Sequence, residues 1–148
     1  DLRKKLNISE EEEMMFYHDF IEEEVTPKQV SDLEKFADKL LKKFNIDVTF
    51  TRHFVDRMND PRNSPEIKVS ELQKLFKKIQ KNKGKNILSN PDIEAVLKDM
   101  STDLNLPVVI NYKDGEFELV NKTIMRKKNF GTSSKVLKYE DFMNNLKP

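Results

Sequence analysis

From residue 30 onward, apolar residues recur at helical spacing: Val30, Leu33, Phe36, Ala37, Leu40, Leu41 and Phe44. Steps of three and four place them on one face of a helix. The residues just before supply its start. Thr26 can cap, Pro27 suits the first turn, and Gln29 completes a capping box. A second stripe of Leu72, Leu75, Phe76 and Ile79 follows another box at Ser70 to Gln73 and runs towards Gly84. Residues 9–24 predict a helix whose apolar face is Met14, Phe16, Tyr17, Phe20 and Ile21, capped by Ser9. Two shorter helices are expected. One covers 52–59, capped by Thr51 and closed by Asp60–Pro61; the other starts at Pro91 in "SNPDIEAVLKDM".

Alternation takes over elsewhere. "NIDVTFT" places Ile46, Val48 and Phe50 on one side of a short strand. Beyond residue 105 the pattern is mostly extended. "LPVVINYK" leads into Asp114–Gly115, a strong hairpin turn, and 116–128 returns as one long strand. "KVLKY" is the last strand, and "EDFMNNLK" a terminal helical turn. Helices first and strands last predict an α+β fold, with N-terminal helices packed on a C-terminal antiparallel sheet of about four strands. The length, 148 residues, suits an acidic helical arm at 1–26 and a single α+β domain at 27–148.

Composition changes this picture in one respect. The net charge of +1 hides a polarity: residues 1–26 hold nine acids and three bases, while the remainder holds 24 bases and 17 acids. The stretch 122–138, "KTIMRKKNFGTSSKVLK", has six bases and no acid. Such a division suggests an anionic ligand at the basic part, and self-masking or a protein partner at the acidic part. Cysteine is absent, which excludes disulfides and thiolate metal sites. No apolar run approaches the roughly 18 residues that cross a bilayer, so no membrane association is expected. No signal-like leader is recognisable.

Three groupings carry possible chemistry. His53 and Arg57 stand at i and i+4, on one helical face. A histidine moves protons near neutral pH, and an arginine grips a phosphate with its planar fork. Along 116–128 as a strand, Asn121, Thr123 and Met125 share one side, and Lys122, Ile124 and Arg126 the other. Gly131 then introduces Thr132, Ser133 and Ser134, which offer hydroxyls after a flexible point. His18 and Glu22 could begin a metal site, but nothing completes it at recognisable spacing, and neither metal nor cofactor is expected. There is no glycine-rich phosphate loop, G-x-S-x-G elbow or H-E-x-x-H.

The order of these parts matters. "HFVDR" on a short helix, a second arginine soon after, further helices, then a sheet ending in "LVNKTIMRKKNF" resembles phage-encoded members of the barnase–EndoU–colicin–RelE-like nuclease superfamily. The resemblance covers roughly residues 31–140. It implies metal-independent cleavage of RNA, in which the 2′-hydroxyl attacks the adjacent phosphate and leaves a 2′,3′-cyclic phosphate. It also implies roles: His53 as acid/base, Arg57 stabilising the phosphorane, and Thr123 and Arg126 from the central strand. Arg62, Lys122, Lys127, Lys128, Thr132 and Ser133 would hold the substrate. The second proton carrier is open among Lys127, Lys128 and Tyr139. Some members of the superfamily are structural, so a non-enzymatic virion or head-assembly component on the same scaffold is the alternative. The expected partner is RNA, with a protein partner possible at the acidic helix. The expected location is the host cytoplasm or the virion.

Overall fold

A computed structural model of the chain describes residues 24–140. The helix expected before residue 24 and the turn expected after residue 140 lie outside the described residues. Helix α1, Pro27–Leu41, starts as the sequence implies: Thr26 Oγ1 accepts the Gln29 N–H at 3.2 Å. The box is half made, since Gln29 Oε1 is buried and accepts no hydrogen bond. A 3-10 turn at Lys42–Phe44 and Asn45, at φ 60°, lead into β1, Ile46–Phe50. Then come α2, Phe54–Met58; α3, Val69–Lys81; and α4, Lys85–Leu88. The remaining strands are β2, Ile93–Asp99; β3, Leu104–Lys113; β4, Glu116–Asn121; β5, Met125–Arg126; and β6, Lys135–Tyr139.

The apolar stripes do what their spacing requires. Leu33, Phe36, Ala37 and Leu41 of α1 and Leu72, Leu75, Phe76 and Ile79 of α3 join one core with Ile46, Val48, Leu106, Val108, Ile110 and Leu119. The start of α3 lies earlier than its Ser70 signal suggests. Lys68 is the N-cap, and Glu71 Oε2 accepts its N–H at 2.9 Å. The end is a Schellman motif. Gly84 N–H bonds Ile79 O and Lys83 N–H bonds Gln80 O, with Lys83 left-handed at φ 61°.

The class is α+β as expected, but the sheet differs from the expected antiparallel four strands. It is mixed and six-stranded, in the order β1-β4-β3-β2-β6, with β5 also on β3. β1 joins parallel to β4 and β6 parallel to β2, while β2, β3 and β4 are antiparallel neighbours. Residues 93–99 were expected in a helix and form β2 instead. Glu, Ala, Leu and Lys favour helix there, but Ala95, Val96 and Leu97 are buried in succession between β3 and β6. Paired neighbours on both sides override local propensity.

The other difference positions the site. The ladder of β4 on β3 ends at Asn121 opposite Val108; β5 resumes it with Met125 opposite Asn105. Residues 122–124 therefore face only Leu106 and Pro107. One extra residue makes a bulge, which bends the strand and flips its alternation. Asn121 and Ile124 are both buried, so the expected side-sharing of Asn121 with Thr123 is broken. Pro107 is part of the cause. Its carbonyl accepts the Lys122 N–H at 2.9 Å, but it has no N–H to return.

Candidate functional site

The cleft opens where β1 leaves the sheet. Phe50 is the last β1 residue paired with β4, opposite Asn121. The chain then turns into α2, while its former neighbour continues through the bulge into β5. Between them lies an open cleft of about 910 Å³. Thr51 fixes the turn. Its N–H donates to Asn121 O at 3.0 Å and its hydroxyl to Lys122 O at 2.7 Å. Thr51 is thus not the side-chain cap expected for α2. It staples the start of α2 to the bulge.

One face of α2 is sunk in the core through Phe54 and Met58, and Phe54 meets Phe50 edge-on at 4.7 Å. The adjoining side looks outward: His53, the N-cap, and Arg57 are both exposed. Both line the cleft, with Lys122, Thr123, Arg126 and Lys127 on the facing strand. His53 is 78% exposed; its Nδ1 lies 3.9 Å from Asp56 Oδ2, too far for a hydrogen bond. Among the described residues, the side chains of Arg57, Thr123 and Lys127 make no hydrogen bond.

The remaining polar groups are committed. Arg126 is 9% exposed, and its guanidinium makes four hydrogen bonds: to Pro65 O, Thr102 O, Glu66 O and Glu71 Oε2, at 2.8–2.9 Å. An arginine so occupied holds structure and has little left for a substrate. Its expected catalytic role gives way to a positioning one. Arg62 forks onto Asp60, 2.7 Å at the shortest. Those hydrogen bonds push the Asp60 carboxyl down to about 2 and raise the Arg62 guanidinium further. Asp60 is therefore ionised at any working pH and, among the described residues, is the one carboxylate lining a cleft of several cations. Lys122 Nζ reaches Glu94 at only 3.4 Å and stays exposed.

Asn63, which the sequence did not single out, links the two walls. It is buried; Nδ2 donates to Arg57 O and Oδ1 accepts the Arg126 N–H, both at 3.0 Å. Its only signal is a place in the turn-rich "NDPRN", which says nothing of a partner 63 residues away. Below it, Lys98 and Asn105 tie down the 127–128 backbone. Asn105 Nδ2 donates to Lys127 O at 2.8 Å and Lys98 Nζ to Lys128 O at 3.1 Å.

Three expected substrate contacts are not brought to the cleft. Lys128, Thr132 and Ser133 do not line it, and Thr132 Oγ1 instead accepts the Ser134 N–H in a local turn. Once Lys127 is tied through its backbone, the chain leaves towards β6 on the far side of β2. Tyr139 is also removed as a proton carrier. It is buried on β6, and burial raises its phenol well above the ordinary range. His18 and Glu22 lie outside the described residues, among which no cluster of His, Cys, Asp and Glu could hold a metal. No helix among them is long and apolar enough to cross a membrane.

No protein-family model, curated protein or solved structure matches this chain. The chemistry of the cleft therefore stands on its own residues. It offers an imidazole, an unengaged guanidinium, an ammonium and a hydroxyl around an open, mainly cationic space. That set can bind a phosphodiester and move a proton beside it.

Proposed function

We propose that the chain is a phage-type endoribonuclease of the barnase–EndoU–colicin–RelE-like kind, cutting RNA by metal-independent transesterification. The observation that carries this reading is the meeting of His53, Arg57, Thr123 and Lys127 at one cleft, none of them engaged in a side-chain hydrogen bond among the described residues. The phosphate would lie between α2 and the bulge. The Arg57 fork and the Lys127 ammonium bind its two non-bridging oxygens, which share one negative charge, and the Thr123 hydroxyl donates to one of the same pair. His53, as imidazole, removes the 2′-hydroxyl proton. The 2′-oxygen forms its bond to phosphorus as the bond to the 5′-oxygen breaks, and that 5′-oxygen takes its proton from a second carrier, for which Lys127 is the candidate that lines the cleft. Charge on the pentavalent phosphorus builds beside Arg57, where a cation lowers the barrier.

The test is cleavage of end-labelled RNA in EDTA. Wild-type protein leaves a 2′,3′-cyclic phosphate and a 5′-hydroxyl, and a 2′-deoxy substitution at the cut site blocks the reaction. His53→Ala, on the solvent side of α2, keeps its fold and loses about 10²–10⁴ in rate, the range for one acid–base group. Intact RNA, or a cut unaffected by His53→Ala, overturns the proposal.

One observation favours the second reading, a non-enzymatic virion or head-assembly protein on the same scaffold. Among the described residues the cleft has a single histidine, and Tyr139 is out of reach as a partner for it. A protein of this kind binds RNA phosphate without turnover, and its copies are stoichiometric in purified particles.

A further inference from the structure

We propose that Arg62, held by Asp60, is a stacking platform for an unpaired nucleobase beside the phosphate. This rests on reading the cleft as a phosphate site, and it names a second part of the RNA that the cleft recognises. Residues 60–63, "DPRN", form a turn in which the Asn63 N–H donates to Asp60 O at 3.0 Å. Asp at the first position and Pro at the second suit such a turn. Asp60 Oδ1 also accepts the Arg62 N–H at 2.9 Å. The turn is fastened to α2, since the Asp60 N–H and Asn63 Nδ2 both donate to Arg57 O, at 3.3 and 3.0 Å. The backbone thus fixes Arg62 relative to Arg57.

The guanidinium is oriented as well. Nε lies 3.1 and 3.2 Å from the two Asp60 carboxylate oxygens, and Nη2 lies 2.7 Å from Oδ2. That fork engages one edge of the plane, while the Arg62 side chain stays 77% exposed and lines the cleft. Its charge is balanced by Asp60, so phosphate is drawn to Arg57 and Lys127, unengaged among the described residues, instead. What Arg62 still offers is a flat surface, held in place before any ligand arrives. Unpaired bases stack on arginine planes, and the contact tolerates any sequence because every base has a π-face. A lysine would supply the charge but no plane. Arg57 and Arg62 therefore divide a nucleotide between them, one taking the phosphate and the other the base.

The test compares two short single-stranded 2′-fluoro oligonucleotides, which lack the attacking hydroxyl and cannot be cut. One carries its bases; the other has the same sugar–phosphate backbone with abasic sites throughout. The full-length wild-type protein binds the first about tenfold more tightly, within the range for one stacked base. Arg62→Lys keeps the charge and loses the plane, so it binds the two alike. The side chain is exposed, so this variant unfolds at the wild-type denaturant midpoint. Equal binding of both oligonucleotides by wild type overturns the proposal and leaves the phosphate site intact; it is the result expected if Arg62 grips phosphate. A preference that persists in Arg62→Lys also overturns it, since the bases then stack elsewhere. If neither oligonucleotide binds, the phosphate reading itself fails and the platform falls with it.

Discussion

Arg57 and Arg126 line the same cleft and do opposite work. Arg126 has its donors taken by three carbonyls and Glu71, at 9% exposure. Truncating it leaves three backbone carbonyls and a partly buried carboxylate without their partner, so Arg126→Ala costs about 1–3 kcal/mol of folding stability. Lysine does not repair it, because one ammonium cannot reach four diverging acceptors. Arg57 is exposed and makes no side-chain hydrogen bond among the described residues. Arg57→Ala therefore stays within about 0.5 kcal/mol of wild-type stability while RNA binding weakens. Denaturant unfolding of both variants beside an RNA titration checks the pair; an equal loss of stability in both would sink the distinction. The sequence could name His53, Arg57, Thr123 and Arg126 as one group because spacing reports which residues share a face. It could not rank them, since the acceptors that occupy Arg126 lie 24 to 61 residues away.

At the scale of elements, β1 is an edge strand whose outer donors are closed by α1. Asp38 Oδ1 accepts the Val48 N–H, and Glu34 Oε2 accepts the Phe50 N–H at 2.9 Å. Carboxylates four residues apart on one helix thus cover an edge that would otherwise invite another strand. The arrangement crowds negative charge. Burial raises Asp38 from 3.8 to about 6; the Val48 N–H works against this, and Asp47 and Glu34 add to it. The fold therefore favours the protonated acid. Its stabilising contribution is complete below about pH 3.8 and disappears as pH rises through about 6. Asp38→Asn keeps an oxygen for Val48 and removes the charge, so its melting temperature falls less than wild type's between pH 4 and 7. Parallel melting curves that keep the wild-type slope would refute this. The turn after α3 gives a second element-scale expectation. Gly84 has φ 66°, and an added Cβ would stand 2.7 Å from Ile46 Cδ1. Gly84→Ala costs about 1–3 kcal/mol, from the left-handed backbone and from overpacking against β1, read as a lower unfolding midpoint. The stripes of α1 and α3, the Asp114–Gly115 hairpin and β6 were legible because each carries its own period or turn. β2 and the bulge were not. What decides them is pairing across β3, and only Pro107 hinted at it.

For the whole molecule, the excess of 24 bases over 17 acids after residue 26 bears on the cleft through its exposed cations. Fold and surface charge are separable here: the core is apolar, and Arg57, Lys122 and Lys127 all point to solvent. Single-stranded RNA placed between α2 and the bulge meets these three cations, since Arg62 is held by Asp60 and Arg126 by its own shell. Each phosphate neutralised releases condensed counterions, with a slope of about −0.7 per contact for single strands. Three contacts give a slope of about −2 for log affinity against log salt. Lys127→Ala then flattens the slope by about 0.7, whereas Lys128→Ala, one residue on and outside the lining, leaves it unchanged. Equal effects of the two would mean that RNA follows the basic run as a diffuse surface rather than entering the cleft. A loss for Lys127 alone ties affinity to the side of the bulge that faces His53, the side on which the proposed cleavage would take place.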